Sequence, residues 1–228
     1  VYVQGNCGAT NGLSTWVGPI SFTTQPPPTS IPSCEDFESG SPAASTILNA
    51  GVNASATVIA AAASNSSAYG VQLTGVDNSS NTWSGGSTST TETQAWGNTD
   101  HLSSIAFNVD ATAESNVLLE FDLKQTYTFG PKYSWFRVTV NGTQIGASMN
   151  PTTNTDPFVR HSYDLGAYAG TNFNLKLEHA GKYSAVYYGS GDNSFIDNIC
   201  LSAPSCPFPS ALAASNLTAT SADFTWVT

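Results

Sequence analysis

VLLEFDLK, residues 117–124, decides the fold, because apolar and charged side chains alternate along it. The apolar members on one side are Val117, Leu119, Phe121 and Leu123, and the charged members on the other side are Glu120, Asp122 and Lys124. A period of two is that of an extended strand with one face buried. The segment therefore predicts a half-buried strand of an antiparallel sheet.

The same alternation recurs on both sides of this stretch along the chain. The further inward sets are Ile105, Phe107 and Val109; Phe136, Val138 and Val140; and Phe173, Leu175 and Leu177. Asn141-Gly142 lies between two such strands and is a strong signal for a type I′ hairpin turn. Short alternating strands at this spacing predict an all-β fold, an antiparallel β-sandwich of the jelly-roll kind.

The composition fits one such sandwich and argues against several classes of partner. Of the 228 residues, 40% are hydrophobic, which is enough for one sizeable core, and only 10% are charged. The formal net charge of −10 disfavours nucleic acid and anionic membranes, since both call for Lys and Arg patches. No apolar run approaches the ~20 residues that a membrane helix needs. We therefore expect neither nucleic-acid binding nor membrane insertion.

Prolines and strand patterns divide the chain into four parts. Residues 1–24 read as two strands around a Gly- and Asn-rich loop, which is too little to bury a core alone. Residues 25–32, Gln-Pro-Pro-Pro-Thr-Ser-Ile-Pro, predict a stiff, extended linker. Residues 33–204 form the strand-rich body, and residues 205–228 start a second pair of strands. Since the sequence starts at Val1 in the middle of a strand pattern, we expect this chain to be an interior segment of a longer protein.

Motifs at the ends of these parts resemble known families. The motifs are Asn6-Cys7-Gly8 with residues 16–20, residues 34–40 and 191–200 at the two ends of the body, and Asn216-Leu217-Thr218 with Thr225-Trp226. The first and last sets resemble the closing and opening strands of bacterial fibronectin type III domains. The body resembles the MAM-like jelly-roll domains of secreted Bacteroidetes proteins, akin to the cleaved-adhesin domains of gingipains. This resemblance implies a secreted or outer-surface location, export through the type IX system, and adhesion or accessory binding.

Carboxylates near both ends of the body suggest a metal site. Asp36 and Glu38, two residues apart, are predicted on one face of the first strand, and Asp197 alternates with Phe195 and Ile199 on a side that should be apolar. A carboxylate aimed into such a side is costly unless it is paired or metal-bound. Related jelly rolls commonly hold a structural calcium between the first and last strands, and the resemblance implies Glu38, Asp197 and Asp36 as its oxygen ligands. The alternative is that these carboxylates are hydrogen-bonded to backbone or solvated.

The four cysteines predict structural disulfides in an oxidising compartment, because none forms a CxxC pair or a zinc-ligand spacing. Cys34 and Cys200 flank the first and last strands of the body and are bonded if those strands pair. The alternative joins Cys200 to Cys206 and leaves Cys34 free. Cys7 and Cys206 belong to the partial type III domains, and we expect their partners to lie outside this chain.

Outward positions of the strands supply a candidate ligand face. Trp135 alternates onto the polar side with Arg137, and Tyr127 lies near a turn. Carbohydrate sites on jelly rolls place exposed aromatic rings beside a few polar groups, so these three residues are candidates for binding an extracellular glycan or a surface protein. The alternative is that Trp135 is covered by a loop or by the second sheet, because aromatic side chains more often belong to the core.

Catalysis has little support in the sequence. His101, His161 and His179 are scattered, without a metalloprotease motif or a nucleophile elbow. Glu120 and Asp122 share an outward face, whereas glycoside hydrolysis needs two facing carboxylates. We predict a non-catalytic adhesion or interaction segment of a large repetitive surface protein, with neighbouring copies or domains of that protein as further partners. The alternatives are a carbohydrate-binding accessory module of a secreted hydrolase or protease, and a structural spacer or filament subunit.

Overall fold

A computed structural model of the chain describes residues 2–19, 25–64, 67–76, 91–154, 156–186, 189–205 and 210–227. Strands dominate these ranges. They are β1 Thr29–Ser30, β2 Ser33–Glu35, β3 Thr46–Ala50, β4 Ala54–Ile59, β5 Gly70–Gly75, β6 Leu102–Asp110, β7 Leu118–Thr126, β8 Ser134–Val140, β9 Thr143–Met149, β10 Val159–Asp164, β11 Asn172–Gly181, β12 Asn193–Ser202, β13 Ser210–Ser215 and β14 Asp223–Val227. Helices are short: α1 Gly8–Asn11, α2 Glu92–Gly97, and 3₁₀ turns at Ala60–Ala62, Thr99–His101, Pro131–Tyr133 and Gly166–Tyr168.

Two sheets pack face to face as a sandwich. The front sheet has the order β1-β6-β11-β8-β9, with β3 pairing with β6 beside β1, and the back sheet has the order β10-β7-β12-β5-β4, with β2 pairing with β12 beside β5. Every pairing within the two sheets is antiparallel except that of β1 with β6. The predicted all-β sandwich is therefore confirmed.

The core lies between the inner faces of the two sheets. Phe121 of the back sheet and Phe136 of the front sheet meet with ring centroids 5.7 Å apart. All of the side chains that the alternation placed inward are buried: Ile105, Phe107, Val109, Val117, Leu119, Phe121, Leu123, Phe136, Val138, Val140, Phe173, Leu175 and Leu177. The period of two thus identified the inner faces of β6, β7, β8 and β11 correctly.

The hairpin between β8 and β9 turns at Asn141-Gly142, as predicted. Both residues have positive φ, 51° and 79°, which a type I′ turn requires at its two central positions. Val140 and Thr143 pair directly across the turn.

The sandwich begins earlier in the chain than the pattern of prolines indicated. Thr29 and Ser30 pair with Val109 and Asp110, and Ile31 is buried in the core. The last residues of the segment interpreted as a linker are therefore held by the front sheet, and only the part before Thr29 lies ahead of it.

The two ends of the chain each form local backbone pairings. At the first end these are isolated bridges, Val3 with Val17 and Asn6 with Leu13, and residues 20–24 of the predicted second strand lie outside the described residues. At the other end β13 pairs with β14. Their assignment to fibronectin type III domains stays a prediction. Among the described residues, no helix is both long enough and apolar enough to cross a membrane.

Candidate functional site

The first and last strands of the body are neighbours and are covalently joined. Ser33, Cys34 and Glu35 of β2 pair with Leu201, Cys200 and Ile199 of β12, so the two cysteines face each other directly. A Cys34–Cys200 disulfide links them, with Cα atoms 4.1 Å apart. The cysteine pair expected from strand adjacency is therefore present, and the alternative with a free Cys34 is wrong. Cys7 is exposed with a free thiol, and Cys206 lies outside the described residues.

Asp197 does not lie in line with the core, contrary to the sequence interpretation. A β-bulge between Asp197 and Cys200 shifts the register of β12 on β7. Ile196 and Ile199 therefore both reach the core, whereas Asp197 lies under Ser64 and Ser67 on the outer side of the back sheet. A bulge adds one unpaired residue and reverses the sides that follow it, which explains why strict alternation misplaced this carboxylate.

The buried carboxylate of Asp197 is satisfied by donors. The Ser64 N–H donates to Oδ2 at 2.8 Å, the Ser67 hydroxyl donates to the same oxygen at 2.5 Å, and the Asn198 N–H donates to Oδ1 at 2.7 Å. Asp197 thus holds Ser64 and Ser67 against the back sheet.

Glu38 holds the two residues that precede β5. The N–H groups of Ala68 and Tyr69 donate to its carboxylate at 2.8 Å and 3.2 Å. Asp36 is exposed, and its carboxylate accepts the Glu38 N–H at 3.2 Å. Both residues follow the end of β2 at Glu35, so they lie in a turn and do not share a strand face.

The three carboxylates predicted to bind calcium have hydrogen-bond donors as partners in the structure. The contacts of Glu38 and Asp197 are N–H and O–H donors, which satisfy the carboxylates without a cation. Within the described ranges, no three His, Cys, Asp or Glu side chains are grouped so as to hold a metal ion. Calcium binding by Glu38, Asp197 and Asp36 stays a prediction of the resemblance.

Glu35 is a buried carboxylate that the sequence interpretation missed. It accepts hydrogen bonds from the N–H groups of Phe37 and Ala43, at 3.3 Å and 2.8 Å, and from the Thr46 hydroxyl. It therefore ties the turn after β2 to the start of β3. Glu35 follows Cys34 on β2 and so faces the opposite, inward side of the strand. That position could have identified it as a buried carboxylate.

Helix α2 covers part of the predicted ligand face on the outer side of the front sheet. The helix starts with a capping box formed by Thr91 and Gln94, which satisfies backbone donors at its first turn. Ala95 packs against Ala180 of β11, and Trp96, Leu102 and Trp135 surround this contact. Helix α2 thus covers part of Trp135, whereas the alternative named a loop or the second sheet; ligand binding by Trp135 stays a prediction.

Arg137 is engaged within the protein. Its Nε donates to Glu178 Oε2 at 2.8 Å, and its guanidinium lies 4.1 Å from the ring centre of Trp96. An ion pair and a cation–π contact together hold the side chain in place. Arg137 therefore supports the face and fixes helix α2, and a ligand would have to compete for it.

Trp135 forms one wall of an open pocket at the start of β8. Its Nε1 donates to the Lys132 carbonyl at 2.9 Å, which fixes the orientation of the indole. The Asn150 amide donates to the carbonyls of Pro131 and Ser134, both at 3.0 Å, and joins the opposite wall to the same turn. We call this opening of about 460 Å³ the Trp135 pocket; its lining residues are Pro131, Lys132, Trp135, Asn150, Pro151 and Thr152.

Tyr127 does not line the Trp135 pocket. It is half-buried in the loop after β7, where its N–H donates to Asn154 Oδ1 at 2.9 Å. Of the three candidates for ligand binding, the structure thus leaves Trp135 beside an open space, holds Arg137 in an ion pair, and separates Tyr127 from the pocket lining.

A second, smaller opening lies where β9 and β10 form the corresponding edges of the two sheets. We call it the edge cavity; it measures about 150 Å³ and is lined by Leu123, Gln125, Met149, Asn150, Pro151, Asp156, Pro157, Val159 and His161. It shares Asn150 and Pro151 with the Trp135 pocket. Gln125 continues the inward side of β7 after Leu123, a position that the alternation in the sequence could have identified.

A Ser–His pair inside the sandwich is closed to solvent. The His179 Nε2 donates to the carbonyl oxygen of Asp192 at 3.1 Å, so Nδ1 is left to accept the Ser194 hydroxyl at 2.9 Å. His179 and Ser194 are fully buried, and burial lowers the pKa of His179 to about 4. A nucleophile needs access to a substrate, so this pair has a structural role.

Comparisons with known proteins support the fold. No protein-family model matches the sequence, and no curated protein matches it. Among solved structures, the K1 cleaved adhesin domain of Lys-gingipain from Porphyromonas gingivalis is 13% identical, with a TM-score of 0.50 over 75% of this chain and 98% of that domain. The CBM22-1 xylan-binding domain of Paenibacillus barcinonensis Xyn10C is 15% identical, with a TM-score of 0.43 over 75% of this chain and 92% of that domain.

A third similar structure is Caldicellulosiruptor saccharolyticus CBM27-1 in complex with mannohexaose. It is 12% identical, with a TM-score of 0.46 over 77% of this chain and 98% of that module. At 13% identity, the likeness to the cleaved adhesin domain shows the sandwich fold alone. It agrees with the cleaved-adhesin architecture expected from the end motifs, while the MAM-like and Bacteroidetes assignments stay predictions.

Proposed function

We propose that the sandwich is a non-catalytic, extracellular binding module that attaches to glycans through the Trp135 pocket. The observation that carries this proposal is the fixed indole of Trp135, held by its hydrogen bond to the Lys132 carbonyl beside an open space of about 460 Å³. A rigid aromatic ring offers a large apolar contact area and loses little conformational entropy on binding.

The chemistry of the pocket suits a sugar ring, which has apolar C–H faces and a polar rim. The indole and the two prolines Pro131 and Pro151 supply apolar surface, while Lys132 and Thr152 add polar groups. Small-molecule sites typically combine an apolar wall with a small number of polar groups that point towards the ligand. The net charge of −10 favours a neutral or basic glycan over an acidic one.

The wider role that we propose is adhesion, as one segment of a large surface protein. The Cys34–Cys200 disulfide supports an oxidising, extracellular location, because such bonds persist mainly outside the cytosol. The sandwich is an architecture that the cleaved adhesin domain also has. As an accessory module of a secreted hydrolase, the sandwich would bind through the same pocket. The two roles differ only in the protein to which the sandwich belongs.

The test is glycan-array screening followed by calorimetric titration of the best ligand. The Trp135→Ala variant is expected to bind at least tenfold more weakly, because the ring is the main apolar wall. The matched control is Trp16→Ala, which removes a tryptophan that is 64% exposed near the N-terminal end of the chain. Absence of binding to any glycan, or equal affinity in Trp135→Ala and wild type, would show the proposal to be wrong.

A further inference from the structure

The edge cavity is an apolar opening with one unsatisfied donor in its wall. Gln125 is only 6% exposed, and its Nε2 has no hydrogen-bond partner within the described part of the chain. A buried amide without a partner is costly, and native proteins contain few of them. An acceptor placed in the cavity would relieve this cost. Five of the other lining residues are apolar: Leu123, Met149, Pro151, Pro157 and Val159.

The charges around the cavity favour a neutral acceptor over an anion. None of its described lining residues is Lys or Arg. The pKa of Asp156 is lowered to about 2, chiefly by the Thr153 hydroxyl, so this carboxylate stays negative at the rim. Burial lowers the pKa of His161, so its imidazole is neutral at pH 7. A carboxylate or phosphate would meet one negative charge here without a compensating cation.

The size of the cavity limits its occupant to a small group. A cavity of about 150 Å³ in other proteins takes a single benzene ring, which has six heavy atoms. An acetamido group has four heavy atoms, a methyl end for the apolar wall and a carbonyl oxygen for the Gln125 amide. A whole pyranose with its hydroxyl groups is too large for this space.

The position of the cavity connects it to the proposed glycan site. Asn150 and Pro151 line both the edge cavity and the Trp135 pocket, so the two openings adjoin each other. A sugar ring against Trp135 can therefore direct a substituent past Pro151. We propose that the edge cavity receives the N-acetyl group of an N-acetylhexosamine in the glycan bound at the Trp135 pocket. This inference rests on the proposed function and specifies its ligand class.

The test compares ligands that differ only in the substituent at C2. Calorimetric titration of wild type at about pH 9, where the amines of the deacetylated ligand are uncharged, with chitotetraose, its fully deacetylated counterpart and cellotetraose is expected to favour chitotetraose by about tenfold, the value of one hydrogen bond to a buried donor. The Gln125→Met variant, which keeps the shape of the side chain without its amide, is expected to bind all three ligands at the weaker level. Trp135→Ala is expected to lose binding to all three.

The outcomes separate this inference from the function on which it rests. Equal affinity of wild type for the three ligands, or a preference that survives in Gln125→Met, overturns the N-acetyl assignment and leaves glycan binding in place. Absence of binding to all three ligands overturns the N-acetyl assignment, and absence of binding to every glycan on the array overturns both.

A second measurement reports on the cavity itself. Titration with N-methylacetamide, monitored by NMR, is expected to shift the Gln125 side-chain amide signals, while acetate leaves them unchanged. A shift with acetate alone, or with neither probe, contradicts the inference even if Gln125→Met fails to fold.

Discussion

The buried histidine of the Ser–His pair and the aspartate beside it should make the stability of the sandwich respond to pH in opposite directions. Burial lowers the pKa of His179 to about 4. Burial also raises the pKa of Asp192 to about 7, although the N–H groups of Thr128, Tyr183 and Lys182 donate to its carboxylate and oppose the shift. Replacing each group separately, by His179→Gln and Asp192→Asn, isolates the two contributions.

The signs follow from comparison with the ordinary pKa values of 6.5 and 3.8. His179 is neutral when folded, so its contribution is complete above pH 6.5 and is lost as the pH falls towards 4. Asp192 is protonated when folded, so its contribution is complete below pH 3.8 and is lost as the pH rises towards 7. Each proton changes the free energy of unfolding by about 1.4 kcal/mol per pH unit. The pKa shift of His179 is therefore worth about 3 kcal/mol, and that of Asp192 about 4 kcal/mol.

The assay is urea unfolding monitored by tryptophan fluorescence at pH 4.5, 5.5 and 6.5. Relative to wild type, His179→Gln should lose stability as the pH rises, and Asp192→Asn should gain it, each with a slope near 1.4 kcal/mol per pH unit. In wild type the two slopes oppose each other. His161 is present in all three proteins, so its titration cancels in the differences. Variants whose stabilities run parallel to wild type across this range would refute the reasoning.

Three further predictions concern the covalent link, a close backbone contact and the metal. Replacing the Cys34–Cys200 pair by alanines should lower the free energy of unfolding by about 5 kcal/mol, because the bond closes a separation of 166 residues, and a loss below 1 kcal/mol in urea unfolding would contradict this. Gly181→Ala should destabilise by more than about 2 kcal/mol, since its Cβ would lie 2.2 Å from His179 Nε2, whereas Gly97→Ala, with open space around its Cβ, should not destabilise. If Glu38 binds calcium, returning calcium to chelated protein should raise the Tm of wild type and not of Glu38→Gln; an unchanged wild-type Tm leaves Glu38 with its hydrogen bonds alone.

The parts of the fold that depend on local sequence were predictable. The alternation in residues 117–124 fixes which side of β7 faces the core, because the pleat of a strand allows only two sides. Asn141-Gly142 fixes the hairpin, because both residues tolerate positive φ. The Cys34–Cys200 bond required only that the first and last strands be neighbours.

Features that depend on tertiary contacts could not be predicted in the same way. The bulge at Asp197 arises from pairing with β7, and the local sequence pattern of β12 does not predict it. Arg137 was correctly placed on the outer side of β8, but its partner Trp96 comes from helix α2, whose position over the sheet has no local signal. The inward orientation of Gln125 could have been predicted, since the residue continues the alternation identified in residues 117–124.

The Cys34–Cys200 bond also determines how the molecule carries a pulling force. The chain enters the body at β2 and leaves it at β12, and these adjacent strands are linked covalently. Tension applied before Cys34 and after Cys200 therefore passes through one covalent bond, and the intervening strands bear none of it. The short pairing of Thr29–Ser30 with β6 and the pairings of Leu201 and Ser202 with β7 lie outside this link and would yield first. In a protein that attaches one surface to another under flow, the binding pockets would keep their shape while the chain is under load.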